Sequence, residues 1–279
     1  MLKIATIGFF DGVHLGHRFL FEQLGKIAAE RDLQPLIVTF IDHPRMTLQR
    51  SFVPQLLTTA EERRELLSAF GEVLMLPFDT IHTLTAAQFM QQLHEQYNVS
   101  VLLMGYDHRF GSDRLVAPED YQRAGEACGI EVLTIEEFRP GLQHISSTEI
   151  RNALTSGQIE KANELLGRPY SLRGEVVHGK GLGRQLGFPT ANLQVEAHKL
   201  IPGCGVYEAV WMPENRPAFV NIDQQGIIEA HFPAFCGDIY GQTIELHFVR
   251  FIRPEKHFES LEALRAQIKA DVDSIRHPA

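Results

Sequence analysis

The sequence predicts two domains of different build: an α/β domain on a parallel sheet, then a small antiparallel β-barrel followed by a C-terminal helix. Three observations predict this. Over the first ~165 residues, short apolar runs alternate with helical patterns, the signature of βαβ units. From residue 172 onward strand patterns follow one another with no helix between them, which suits a small barrel. Between the two lies a stop signal, Gly167 followed by Pro169, so the boundary is expected there, giving domains of residues 1–167 and 168–279.

Taken in order, residues 4–10 read as a buried strand, and residues 18–29 as a helix with Phe19, Leu20 and Leu24 on one face. Residues 36–40 form a second strand. Residues 60–70 are helical, and Thr58-Thr59-Ala60-Glu61 before them has the spacing of a capping box. Strands at 73–76 and 101–104 are separated by a helix over 86–97; a helix over 119–128 and a strand over 131–135 follow, and a helix over 158–166 ends the half. In the second half, strands are expected at 172–177, 206–212, 218–222, 227–232 and 243–252. Ser260 is placed to cap a last helix, 261–275, where Leu261, Leu264, Ile268 and Val272 keep helical spacing.

Bulk properties narrow the function. The 279 residues are 44% apolar, enough for real cores, and carry a formal charge of −9. Nucleic-acid affinity without sequence preference comes from Lys and Arg neutralising phosphates, so an acidic chain is a poor generic partner for such polymers. Cys128, Cys204 and Cys236 are scattered thiols without CxxC spacing, which excludes a disulfide framework or a zinc signature. No stretch approaches the ~20 apolar residues of a membrane span. The N-terminal residues run straight into a strand pattern rather than a charged leader. A cytoplasmic protein with small-molecule partners, and neither nucleic acid nor membrane, is expected.

Two stretches look built to hold phosphate. The first, Gly8-Phe9-Phe10-Asp11-Gly12-Val13-His14-Leu15-Gly16-His17, lies where the first strand turns into the first helix. Ligands of parallel sheets sit beyond the carboxyl ends of the strands. Glycines there let backbone approach a ligand, and a helix N-terminus offers free N–H groups and partial positive charge. His14 and His17 are spaced to share one face of the first turn and donate to phosphate oxygens. A zinc site would add carboxylate or thiolate at defined spacing, which this pair lacks. A second cradle is Ile145-Ser146-Ser147-Thr148-Glu149-Ile150-Arg151, where Ser146 and Glu149 have capping-box spacing. A third element, Gly105-Tyr106-Asp107-His108-Arg109-Phe110-Gly111, mixes charge with aromatic surface after a strand end.

The other phosphate-binding stretch is Leu186-Gly187-Phe188-Pro189-Thr190-Ala191-Asn192, behind Gly179-Lys180-Gly181-Leu182-Gly183-Arg184. The spacing from Gly174 to Gly179-Lys180 nearly spells a P-loop, but Gly181 stands where a Ser or Thr would meet Mg²⁺, so that reading is rejected.

The first three elements, with Phe40-Ile41-Asp42-His43-Pro44-Arg45, resemble the nucleotidyltransferase superfamily, and specifically the adenylyltransferase half of bacterial bifunctional riboflavin kinase/FMN adenylyltransferases. The second stretch, with Pro202-Gly203-Cys204-Gly205-Val206-Tyr207, Asp238-Ile239-Tyr240-Gly241 and Arg253-Pro254-Glu255-Lys256, resembles the riboflavin kinase half of the same family. The resemblance implies a Rossmann-like nucleotidyltransferase sheet, ATP as co-substrate, Mg²⁺ as cofactor, and conversion of riboflavin to FMN and of FMN to FAD. It implies nucleotide contacts from Gly8, Asp11, Gly16, Ser146, Ser147, Thr148, Gly179, Gly183, Arg184 and Pro189, and flavin contacts from Asp107 and Phe110. By the same resemblance, His14, His17 and Arg151 serve adenylyl transfer, Glu229 is the base of the kinase, and Thr190 and Asn192 are metal ligands with the hard oxygens Mg²⁺ prefers.

The chain departs from the family pattern at Phe9 (often Asn) and His108 (usually Phe). Asp223 replaces a Gly, a Pro-Thr-Phe segment is absent, and the 223–228 connection is short enough to read as a tight hairpin. Two alternatives stay open at this point: an FMN adenylyltransferase whose barrel is a degenerate kinase that binds or senses flavin, and a non-catalytic regulator responsive to flavin or nucleotide.

Overall fold

The structure is a computed structural model and describes residues 1–49, 51–106, 108–136, 138, 145–179, 188–256 and 258–274. It separates into two compact units, Met1–Ser147 and Thr148–Ala279. This division falls well before Gly167, so the two helices that precede Gly167 are grouped with the second unit.

The first unit is a five-stranded parallel sheet. Its strands are β1 (Lys3–Ile7), β2 (Gln34–Phe40), β3 (Glu72–Leu76), β4 (Val99–Met104) and β5 (Glu131–Thr134), in the spatial order β3-β2-β1-β4-β5. The strand order reverses between β1 and β4, and the carboxyl end of β1 therefore opens at a topological switch point. Helices cover both faces. On one, α1 (Leu15–Glu30) and α3 (Ala60–Ser68) bury Leu20, Phe21, Leu24 and Leu67 against Ile4, Ile37 and Leu103. On the other, α4 (Ala86–Tyr97) and α5 (Pro118–Ala127) bury Phe89, Met90, Leu93 and Tyr121 against Ala5, Val38 and Leu102. Burying each such apolar side chain contributes about 1.5–3 kcal/mol, so the alternation of faces along each strand fixes where the helices must pack.

Helix ends follow local chemistry with instructive shifts. The first helix begins at Leu15, three residues earlier than its apolar period predicts, because the His14 ring serves as N-cap by accepting from His17 N. The capping box of α3 is Thr59 with Glu62, one residue along from the spacing read in the sequence; the Thr58 side chain is engaged by Asp11 and Gly12 instead. Thr85 and Gln88 form a second box at α4. A short helix, α2 (Pro44–Leu48), and a 3-10 turn, Phe78–Thr80, were not anticipated; both are single turns too short to show a period.

Helix α6 (Ser147–Thr155) starts in the first unit and continues into the second, which also holds α7 (Ile159–Leu166), capped by Gly167 in the left-handed region. The barrel closes as β10-β7-β6-β11-β8-β9. Its strands are β6 (Tyr170–Val177), β7 (Thr190–Val195), β8 (Gly205–Met212), β9 (Arg216–Ile222), β10 (Ile228–His231) and β11 (Thr243–Arg253). All neighbours are antiparallel, and Leu172, Leu193, Ala209, Val220, Ala230 and Leu246 are buried. The sequence predicts five of these strands and misses β7, whose Thr-Ala-Asn-Leu-Gln-Val alternates polar and apolar residues as a half-buried strand should. Helix α8 (Leu261–Ser274) is capped as expected, Ser260 Oγ accepting from Ala263 N at 3.1 Å, and Arg253 holds buried Asp271 at 2.6 Å. Among the described residues no helix is long and apolar enough to cross a membrane.

Candidate functional site

In the first unit the site is a turn folded back on the end of β1. Gly8 N still pairs with Val38 O at 3.0 Å, so sheet pairing continues one residue beyond the strand. The chain then passes through three positive φ angles, Phe10 (53°), Gly12 (82°) and Val13 (42°). For Phe and Val this region is strained, and such strain persists only where surrounding contacts over-determine the backbone. Here they do. The Asp11 carboxylate, 3% exposed, accepts from Leu57 N (3.1 Å), Thr58 N (3.0 Å) and Thr58 Oγ1 (3.2 Å). Gly12 N donates to Thr58 Oγ1 at 3.1 Å. Asp11, expected among the nucleotide-binding residues, thus turns its carboxylate to the segment before α3.

At the helix N-terminus the rings of His14 and His17 stack, 3.6 Å apart and 18° from parallel. Because His14 Nδ1 accepts the His17 N–H, the neutral ring carries its proton on Nε2, which makes that nitrogen a hydrogen-bond donor. A Cβ on Gly16 would press on the His14 ring at 3.2 Å, so the bare glycine leaves the imidazole its room. Ser147, first residue of α6, donates its hydroxyl to Asp11 O at 2.9 Å, with Ser146 immediately before it. Gly8, Asp11, His14, Gly16, His17, Ser146 and Ser147 therefore belong to one unit; Thr148 and Arg151 continue α6 in the other.

Arg63, fully buried, donates to Phe40 O (2.6 Å) and Ile41 O (3.2 Å), and its guanidinium lies over the Phe9 ring at 4.2 Å. Phe9, a departure from the family pattern, gives that cation a π face and packs on His43 at 4.7 Å. Phe110, expected to meet flavin, packs on Phe89 and Tyr121 at the margin of the core. Its N–H donates to Tyr121 Oη at 3.0 Å and its carbonyl accepts from the same hydroxyl at 2.9 Å. Burial pushes the Tyr121 phenol up, which keeps the proton that this pairing needs. Asp107 lies outside the described residues.

In the barrel the expected residues lie on two adjacent strands. Register pairs Asn192 of β7 with Glu229 of β10, and Thr190 with His231. Directly opposite residues share a face with Cβ atoms about 4.5–5.5 Å apart, so hydroxyl, amide and carboxylate line one surface patch. Ala191, Leu193, Ile228 and Ala230 alternate with them and are buried. Gly179 comes so close to the Asn192 side chain that any Cβ there would collide with the amide. Pro189 O meets His231 Nδ1 at 2.9 Å. A cavity of about 290 Å³ adjoins Pro189 and Thr190 and is walled by Phe232, Phe235, Asp238 and Tyr240. His178, which precedes Gly179, stacks on Tyr240 at 3.8 Å. Gly183 and Arg184 lie outside the described residues.

The shortened connection is a tight hairpin. Asp223 N donates to Ile227 O (3.1 Å), and Asp223 Oδ1 accepts from Gln225 N (2.8 Å) and Ile227 N (2.9 Å). An Asp at the position of the family's Gly closes the turn through its own side chain, and Asn221 stays paired with Glu229.

Sequence reasoning missed Thr58, Arg63 and His231. Only His231 left a signal, two residues from Glu229 on the same strand face; the others act through partners remote in sequence.

Residues 2–149 match the family model described as FAD synthetase, and residues 166–278 the one described as riboflavin kinase. Proteins named bifunctional riboflavin kinase/FMN adenylyltransferase are similar over nearly the whole chain. That of Listeria monocytogenes is 34% identical, covering 98% of this chain and 91% of its own, and that of Escherichia coli K12 is 35% identical, covering 96% and 90%. A crystal structure described as a macrolide-efflux protein from Streptococcus pneumoniae matches with a TM-score of 0.89 at 30% identity, covering 100% of this chain and 95% of the other. The efflux description concerns the pneumococcal protein; the match carries the fold of both units.

Proposed function

The chain belongs to the bifunctional riboflavin kinase/FMN adenylyltransferase family, and from that premise we propose how its residues divide the two reactions. Residues 168–279 phosphorylate riboflavin to FMN, and residues 1–167 adenylylate FMN to FAD, each with ATP and Mg²⁺. One observation carries the assignment: the His14–His17 pair and the face shared by Thr190, Asn192 and Glu229 stand in separate compact units and offer different chemistry, imidazoles in one and a carboxylate in the other.

In adenylyl transfer a phosphate oxygen of FMN bonds to the α-phosphorus of ATP as the bond to the β-phosphate oxygen breaks and pyrophosphate leaves. The nucleophile is already an anion, so the residues need only position and neutralise charge. His14 is buried and its cap bond leaves the proton of the neutral ring on Nε2, His17 stacks on it, and Ser146, Ser147, Thr148 and Arg151 supply hydroxyls, helix N–H groups and charge. Gly8 and Gly16 make room for the Phe10 and His14 rings rather than for a ligand, since a Cβ at either would press on them. Asp11 acts at one remove, holding the strained turn through Leu57 and Thr58. Phe110 borders the flavin, and Asp107 is assigned to it by the family resemblance alone.

In the kinase the nucleophile is a neutral ribityl hydroxyl. Glu229 accepts its proton as the oxygen bonds to the γ-phosphorus and ADP departs. The donor set suits a hard cation: Thr190 and Asn192 offer oxygens on the face they share with Glu229, and Gly179 packs against Asn192 too closely for any side chain. When bound there, Mg²⁺ supplies charge neutralisation of the nucleotide phosphates. Gly179 and Pro189 line the nucleotide, and the family resemblance alone assigns Gly183 and Arg184 to it.

The decisive experiment incubates the protein with riboflavin, ATP and Mg²⁺ and separates the flavins. FMN followed by FAD is expected. FAD from supplied FMN, with none from riboflavin, would leave only an adenylyltransferase; binding without turnover of either flavin would leave only a sensor.

A further inference from the structure

We propose that His231 is a positioning residue for the kinase reaction: it clamps the Pro189–Thr190 peptide and so sets the direction of the Thr190 hydroxyl. His231 is 8% exposed, pairs with Thr190 across β7 and β10, and holds Pro189 O through Nδ1 at 2.9 Å. A carbonyl only accepts, so Nδ1 carries the proton and the ring has one productive tautomer. The Phe188 ring stands edge-on to the imidazole, 5.5 Å away at 79°, and limits its rotation.

The clamp matters because of the residues it acts on. Proline has a fixed φ and no N–H, so ψ at Pro189 is the soft torsion entering Thr190. The bond to Pro189 O fixes the plane of the peptide that leads into Thr190. Thr190 is β-branched and stiff at χ1, so backbone orientation passes directly to its hydroxyl. Glu229 lies on the same face two residues from His231, so one short strand supplies both the proton acceptor and the clamp. The inference rests on the kinase reading of this unit and adds to it a residue that acts through Pro189 and Thr190.

The test compares His231→Asn with His231→Gln. Asn places an amide N–H near the position of Nδ1, whereas Gln carries its amide farther out, near Nε2. With full-length protein, kcat/KM for MgATP in FMN formation is expected to fall about tenfold in the Gln variant, the order of one lost buried hydrogen bond. The loss should sit mainly in KM, and Asn should restore it to within about threefold. FAD formation from supplied FMN, whose His14–His17 pair lies in the other unit, serves as the control on folding and concentration. Equal kcat/KM in wild type and the Gln variant would overturn the proposal. So would equal losses in both variants alongside a lowered melting temperature, which would make His231 a packing residue only. A wild-type chain that makes no FMN refutes the kinase reading itself, and this inference with it.

Discussion

Replacing Asp11 by Asn tests whether the phosphate-binding turn is held from outside. The carboxylate accepts three hydrogen bonds, from Leu57 N, Thr58 N and Thr58 Oγ1, at 3.0–3.2 Å, and both partner residues are at most 2% exposed. Asn has one acceptor oxygen and one NH₂ group, so one backbone N–H must face a donor. A hydrogen bond to a charged acceptor is worth about 1.5–3 kcal/mol, and a buried donor left unmade costs about 1–3 kcal/mol. A net loss of about 2–4 kcal/mol follows, and for a unit of this size each kcal/mol lowers the melting temperature by about 2–4 °C. Thermal unfolding should therefore show the first unit melting about 5–15 °C lower. Three residues on, His14 depends on the same turn, and a shift of about 1 Å at a reacting group costs roughly 100-fold in rate. FAD formation should fall by that order while FMN formation persists. An Asp11→Asn protein that melts and makes FAD like wild type would refute the claim that Asp11 maintains the turn.

His17→Ala should abolish FAD formation from FMN and spare FMN formation from riboflavin; equal loss of both would point to one shared site. Glu229→Gln should do the reverse, lowering kinase kcat by about 10²–10⁴, and an unchanged turnover would remove Glu229 from the role of base. Gly179→Ala, which drives a methyl into the Asn192 amide, should weaken MgATP use by the kinase; titrating ATP against FMN formation checks this, and an unchanged KM would dissociate Gly179 from that site. Glu245 provides a pH prediction. Its hydrogen bond from His247 holds the carboxyl below the ordinary carboxylate value. The stabilisation is then present above pH ~4.3 and is lost as pH falls through the lowered value. The melting difference between wild type and Glu245→Gln should accordingly shrink below pH ~4.3; a difference that is constant across this window would count against it.

The two halves differ in how openly the sequence displays their sites. In the first, Gly8 to His17 is one contiguous string at a strand-to-helix junction, so its place at the carboxyl end of β1 follows from local pattern, while the strand order that makes this end a switch point does not. In the barrel Thr190, Asn192 and Glu229 are named only through the family resemblance, and local pattern overlooks the strand that carries two of them. Six residues after a proline give too short a period to outweigh a loop reading. The capping box of α3 shows a second limit. Thr58-Thr59 followed by Glu61-Glu62 fits two registers equally, and only the partner of Thr58 decides between them.

By itself, then, the sequence determined the alternation of elements, most helix ends, the parallel and antiparallel halves, and the residue types available for phosphate and proton transfer. All of these depend on side chains within a few positions of one another, where period, caps and turn residues act. Tertiary structure alone decided that Asp11 braces the turn through Thr58, that Arg63 lies over Phe9, that Asn192 stands opposite Glu229, and that His231 holds Pro189 O. Each of these pairs brings together residues tens of positions apart. Their meeting is fixed by strand register and by which face of the sheet is buried, and both are set by the packing of the whole domain.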